Sequence, residues 1–194
     1  TMKIFLFFIL FFLNFISNIN AKNINNVIID GNKRISDETV KVYGGIEINK
    51  NYSERDLNLI LKNLYKTDFF EDVKVTIKGN ELIINLKEYP SVNQLVIIGE
   101  KSNKFKDEIK KFIKTKQNRS FIKSNLVKDA ETIKSIYSSV GYNAAKVEIK
   151  NKKISKNNYD VLIEIKRGKK TKISSVNFIG NKKIISKKLK TVVA

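Results

Sequence analysis

The side chains able to carry chemistry in this chain are lysine, serine, aspartate, glutamate and tyrosine, because its 194 residues include no cysteine and no histidine. That excludes a disulfide framework, a Cys/His zinc site, a thiol nucleophile and a Ser-His-Asp triad. Ser-Lys nucleophilic chemistry and all-carboxylate metal sites pass the composition test. Neither finds a framework, since no nucleophile elbow, glycine-rich nucleophile loop or paired catalytic spacing occurs. The sequence offers no catalytic, cofactor-binding or metal-binding residue, and an exported Ser-Lys hydrolase is an alternative without a motif. What the chain has in abundance is backbone in short apolar runs, so the elements that expose or bury that backbone decide its function.

Charge narrows the partners less than its size suggests. Basic residues number 38 and acidic ones 19, a net charge of 38 − 19 = +19. A balance of this sign suits nucleic acid or an anionic membrane surface. Only four of the basic residues are arginine (Arg34, Arg55, Arg119 and Arg167), the residue that forks onto phosphates and base edges. The excess is lysine, together with 29 Ile and 23 Asn, as expected of solvated surface positions. No nucleic-acid partner is expected.

The first 21 residues read as a signal peptide. Lys3 supplies a short positive start, Ile4 to Ile16 is an apolar run interrupted at Asn14, and a polar stretch follows that ends in Ala21. This is the layout of a secretory leader cleaved after Ala21. The run is shorter than the about 20 apolar residues of a membrane span, although an uncleaved anchor is the competing reading. An exported chain without cysteine would be indifferent to an oxidising compartment.

The remainder repeats. Asn26–Val40, Gln94–Ile109 and Ser175–Leu189 each run from apolar residues through a glycine and a polar turn into a helix start, with marker glycines Gly31, Gly99 and Gly180. Their spacings of 68 and 81 residues suit one small domain per period rather than a solenoid. In the first period Val27–Asp30 is a strand and Gly31-Asn32 a turn. Ser36 caps a helix with Asp37 and Glu38 in its first turn, and Gly44-Gly45 stops it. Ser53 and Asp56 form a capping box for a second helix whose apolar face is Leu57, Ile60, Leu61, Leu64 and Tyr65. Val73, Val75 and Ile77 alternate in a strand, Gly79-Asn80 turns, and Leu82–Glu88 returns with Leu82, Ile84 and Leu86 on one face. The second period repeats the order: strand Val96–Ile98, short helix Asp107–Lys114 with Ile109, Phe112 and Ile113, long helix Ser124–Val140 with Leu126, Ala130, Ile133 and Tyr137, a strand from Val147 and Ile149, and a returning strand Tyr159–Lys166. The third supplies a strand, Val176–Ile179, and a helix start. The expected fold class is α+β: tandem β-α-α-β-β domains, each a three-stranded mixed sheet covered by two helices. The expected segments are a signal peptide at 1–21, a first domain at 22–91, a second at 92–170 and the start of a truncated third at 171–194.

This unit, repeated behind a leader, resembles the POTRA domains of outer-membrane assembly proteins of the BamA type, over about residues 24–190. The most specific run is LYKTDFFEDVKV, Leu64 to Val75, where the family has Leu-Tyr-x-Thr-Gly-Phe-Phe-x-Asp-Val. GNKRIS (Gly31–Ser36), KEYP (Lys87–Pro90), IYSSVGY (Ile136–Tyr142) and NFIGN (Asn177–Asn181) support it. Asp68 stands where the family has glycine, and Gly99 is followed by Glu100 rather than asparagine.

The resemblance implies a non-enzymatic periplasmic arm at the outer membrane, continuing into a C-terminal β-barrel, without cofactors. Its implied partners are unfolded outer-membrane β-barrel proteins and accessory lipoproteins of the assembly complex. The arm of a two-partner-secretion or translocation pore and a division-type membrane-anchored POTRA protein are alternatives. Strand addition at a sheet edge is the physical opportunity, because backbone pairing is largely blind to sequence. By resemblance the edge is the second strand of each unit: Val73, Lys74, Val75, Thr76, Ile77 and Lys78 in the first, and Lys146, Val147, Glu148, Ile149 and Lys150 in the second. Lys74, Lys78, Lys146 and Lys150 point outward there, where they equally suit protection against aggregation. Phe69-Phe70 is expected to be core and hinge packing. Tyr65 and Tyr137, at matching helix positions, are expected in the core. Pro90, the lone proline, biases Tyr89 to an extended conformation at the exit into a short linker.

Overall fold

In the computed structural model, which describes residues 22–172, 174–180 and 185–193, the elements follow the expected order. The leader and its Ala21 cleavage point lie outside the described residues. The chain forms two compact units that divide between Tyr89 and Pro90. Tyr89 is held by the first, its N–H donating to the Phe69 carbonyl at 2.9 Å and its carbonyl accepting from the Arg34 guanidinium at 2.9 Å. Pro90 is held by the second, its carbonyl accepting from Phe121 N–H at 2.7 Å.

In the first unit β2 (Asn26–Asp30) leads into α1 (Asp37–Gly44), α2 (Glu54–Tyr65), β4 (Phe70–Lys78) and β5 (Glu81–Glu88). The helix ends follow their caps. Ser36 Oγ accepts from Thr39 N–H, and Gly45 closes α1 at φ +66°. Ser53 and Asp56 complete the capping box of α2. The sheet order is β2-β5-β4, with β2 parallel and β4 antiparallel to β5. Its inner face and the helices bury Val40, Ile60, Leu64, Phe70, Val73, Leu82, Ile84 and Leu86. An antiparallel ribbon of β1 (Lys22–Ile24) and β3 (Lys50–Tyr52) adds Ile24 and Tyr52 to that core. Three-residue strands reading KNI and KNY carry no alternation for periodicity to detect.

The second unit repeats the topology with β6 (Ser91–Ile98), α3 (Asn103–Phe112), α4 (Lys123–Ser139), β7 (Lys146–Ser155) and β8 (Asn158–Lys166), in sheet order β6-β8-β7. Two expectations are corrected. The short helix begins at Asn103, four residues before Asp107, because Ser102 Oγ accepts from Phe105 N–H and caps it there. Phe112 is exposed, and Phe105 packs on the core in its stead, edge-on to Tyr137 at 5.1 Å.

After β8, α5 (Ser186–Val193) is present, but residues 174–180 are not a strand, contrary to the expectation for Val176–Ile179. The first strand of each complete unit is parallel and pairs with that unit's last strand, and residues 174–180 have no such strand beside them among the described residues.

Gly31 and Gly99 explain the repeat marker. Both follow the first strand with positive φ, +90° and +86°. An added Cβ would overlap the carbonyl oxygen of Leu86 in one unit and of Ile165 in the other. The chain turns off the first strand directly against the backbone of the last, and only glycine has both the conformation and the space.

Candidate functional site: the open edges of the two sheets

The expected site residues fall on β4 and β7, each the outermost strand of its sheet, with β5 or β8 on one side and no strand on the other among the described residues. Val73 to Lys78 occupy β4 and Lys146 to Lys150 occupy the first half of β7. Along β4, Lys74, Thr76 and Lys78 are exposed while Val73, Val75 and Ile77 turn toward the core. Along β7, Lys146, Glu148 and Lys150 are exposed while Val147 and Ile149 pack inward. The structure thus gives each edge one apolar and one charged face.

The charges on these edges are partly paired. Lys74 Nζ lies 4.0 Å from Asp72. Lys150 Nζ reaches Glu164 Oε2 at 3.1 Å on β8 and Glu148 Oε1 at 3.5 Å on its own strand. Its hydrogen bond to Glu164, then the Glu148 charge, hold its ammonium above the usual lysine range. Beside that strand a hollow of about 300 Å³ opens among Gln94, Val96, Lys150, Lys152, Asp160 and Leu162.

The opposite borders are less free in the second unit. There the start of β6 bonds to the segment before α4: Val92 N–H donates to the Arg119 carbonyl and Asn118 N–H to the Val92 carbonyl, both at 2.8 Å. β7 has no such cover among the described residues.

What fastens the corner after the first strand of each unit is a carboxylate, its side chain largely out of solvent, that the repeat pattern does not reveal. In the first unit Glu88, at the end of β5, accepts from the N–H groups of Lys33, Arg34 and Ile35 at 2.6, 2.9 and 3.0 Å and pairs with Arg34 Nε at 3.1 Å. Burial alone would raise its pKa. The three amides and the Arg34 charge outweigh that and hold it below the usual glutamate range. In the second unit Glu100, in the loop after β6, accepts from Ser102 N–H at 2.8 Å and from Tyr137 O–H at 2.6 Å. It too is held low against burial, by these hydrogen bonds and the Arg167 charge. Burial and the Glu100 carboxylate push the Tyr137 phenol up. A third buried carboxylate, Asp129 on α4, accepts from Lys114 and Thr115 N–H at 2.6 and 2.9 Å and fixes the loop between the two helices. Apart from Glu100 with Ser102, these pairs lie 14 to 55 residues apart in sequence, so no local spacing announces them.

Tyr65 departs from its expected place. Tyr137 is in the core, but Tyr65 is 38% exposed. Its ring leans from the last turn of α2 to the start of β4, where its hydroxyl accepts from Val73 N–H at 3.2 Å and donates to Asp72 Oδ1 at 3.4 Å. In α2 it is Leu64, fully buried, that fills the core position, and Tyr65 sits at the rim of the apolar arc with a hydroxyl that needs a partner. Phe69 and Phe70 pack edge-on at 6.2 Å and contribute to the first core as expected.

Among the described residues no group of three or more Asp and Glu side chains is placed to hold a metal ion, and no helix is long and apolar enough to cross a membrane.

Comparison with known proteins gives consistent relatives. Residues 90–168 match the family model "POTRA: Surface antigen variable number repeat". The outer membrane protein assembly factor BamA of Neisseria meningitidis serogroup B is 29% identical over 169 residues, covering 86% of this chain and 21% of that protein. The BamA of Buchnera aphidicola subsp. Acyrthosiphon pisum is 29% identical over 181 residues, 90% of this chain and 29% of that protein. The N-terminal domain of Omp85 from Thermosynechococcus elongatus aligns with a TM-score of 0.49 and 16% identity, covering 72% of this chain and 61% of that one. The chain therefore spans under a third of the length of these curated relatives.

Proposed function

We propose that the chain, which matches the POTRA family model over residues 90–168 and is similar to BamA proteins over most of its length, is a POTRA-domain region of the BamA type and the periplasmic arm of an outer-membrane β-barrel assembly factor. It takes extended segments of unfolded barrel proteins onto β4 and β7 by strand addition and scaffolds accessory proteins. The observation that carries this reading is that both strands are bonded on one side only among the described residues, with core-facing apolar and outward charged side chains in alternation. Edge N–H and C=O groups supply affinity for any extended chain, and the alternation supplies a preference for client strands that alternate likewise. No step requires a nucleophile, metal or cofactor, so the arm works as a binder rather than an enzyme. Lysines along the edge deter pairing between identical, equally basic copies while leaving it open to a client of other charge.

The test is a photo-crosslinking scan in which each residue of Val73–Lys78 and Lys146–Lys150 in turn carries the crosslinker, against an unfolded barrel precursor. Adducts are expected along both runs. Uniform absence of adducts overturns the edge assignment.

A further inference from the structure

We infer that Tyr65 sets the register of strand addition on β4, by closing the first outward position of that edge and leaving Val75 and Ile77 as the pairing residues. The inference rests on the strand-addition reading above and specifies where on the edge a partner begins.

The two-residue connection Gly79-Asn80 makes Lys78 and Glu81 the closing pair of the hairpin. In a two-residue hairpin that pair exchanges both backbone hydrogen bonds, and along an antiparallel pair bonded and non-bonded positions alternate. Counting back through the register, Lys78, Thr76, Lys74 and Asp72 turn their N–H and C=O groups toward β5. Ile77, Val75 and Val73 therefore turn theirs away from it. A second observation agrees, since the Val73 N–H donates to the Tyr65 hydroxyl.

The three outward positions are thus unequal. At Val73 the amide is satisfied within the domain, and the phenol ring stands where a partner strand would lie. Its hydroxyl is fixed on the other side by Asp72 Oδ1. At Val75 and Ile77 no side chain of the described residues accepts from the amide in this way. A client strand then pairs at Val75 and Ile77 and stops short of Val73. β7 has no counterpart, because Tyr137 is buried with its hydroxyl on Glu100.

Amide hydrogen exchange resolved at single residues tests this on the chain, alone and with a synthetic eight-residue peptide of alternating apolar and polar residues. In the free chain Val73 is expected to exchange about tenfold more slowly than Val75 and Ile77. The peptide should slow Val75 and Ile77 and leave Val73 unchanged. Tyr65→Phe, which keeps the ring and removes the hydroxyl, should bring free-state Val73 to the rate of its two neighbours. Val73 exchanging as fast as Val75 in the unsubstituted chain, or peptide protection extending to Val73 there, overturns the register stop while strand addition stands. Protection nowhere on β4 overturns strand addition and the register with it. The footprint on the unsubstituted chain decides the matter even if Tyr65→Phe does not fold.

Discussion

The two units solve one problem with their charges exchanged. In each, the loop after the first strand has to be fastened to the end of the last strand, at the glycine whose missing Cβ admits the Leu86 or Ile165 carbonyl. Two residues past that carbonyl the first unit has Glu88 and the second has Arg167. One residue past the glycine the first unit has Asn32 and the second has Glu100. The carboxylate reaches from strand to loop in one case and sits in the loop, bonded to a helix tyrosine, in the other. The corner demands a carboxylate facing loop amides, not a particular residue at a particular position. A side chain can migrate across such a contact as long as the amides stay satisfied.

The glycine is the part of this corner that cannot migrate. Gly31→Ala and Gly99→Ala should each cost about 3 kcal/mol or more, because the new Cβ meets backbone and the φ is left-handed. The loss should appear in urea denaturation as a lowered midpoint for the unit that carries the substitution. Equal tolerance of alanine in both would remove the shared basis of the comparison.

Next in size, Glu88→Ala and Glu100→Ala should each destabilise their own unit by about 1–2 kcal/mol, the first through three loop amides and the second through the buried Tyr137 hydroxyl left without an acceptor. The same pair makes a prediction in pH. Both carboxylates are held below their ordinary value in the folded state. Their contribution is therefore complete above the unfolded glutamate pKa of about 4.3 and is lost as pH falls through the lower folded value. Urea midpoints measured from pH 7 to 3 should fall in that window, and Glu88→Gln should flatten the fall in the first unit. If the exchange of charges is real, Glu100→Asn combined with Arg167→Glu should recover part of the stability that Glu100→Asn loses alone, as a double-mutant cycle measures.

The smallest effect concerns Asp68, which takes the left-handed conformation, φ +58°, between α2 and β4. Asp68→Gly should raise the stability of the first unit by about 0.5–1 kcal/mol, visible as a higher melting temperature. The second unit should not respond.

How much of this was legible depends on how local the signal is. Ser36, Ser53 with Asp56, and Gly45 act within a few residues of themselves, so both helices of the first unit could be placed from the sequence. Alternation in Val73–Ile77 and Leu82–Leu86 marked a hairpin, and only the family resemblance named its first strand as the edge. The braces could not be read, because Glu88 with Arg34, Glu100 with Tyr137 and Asp129 with Thr115 join residues distant in sequence and similar in type to solvated neighbours. Tyr65 shows the limit of periodicity. The helical period placed it on the apolar arc, but the arc is narrower at its end than the pattern implies. The side chain found the strand edge instead of the core. The resemblance of the Leu64–Val75 run located this stretch without saying what its tyrosine does.

Strand pairing itself can be seen directly. With the chain isotope-labelled and an unlabelled client peptide added, intermolecular backbone NOEs should run from β4 and β7 to the peptide backbone, spaced every second residue. NOEs from β2 or β6 instead, or from helix side chains alone, would contradict the assignment of these two strands as the receiving edges.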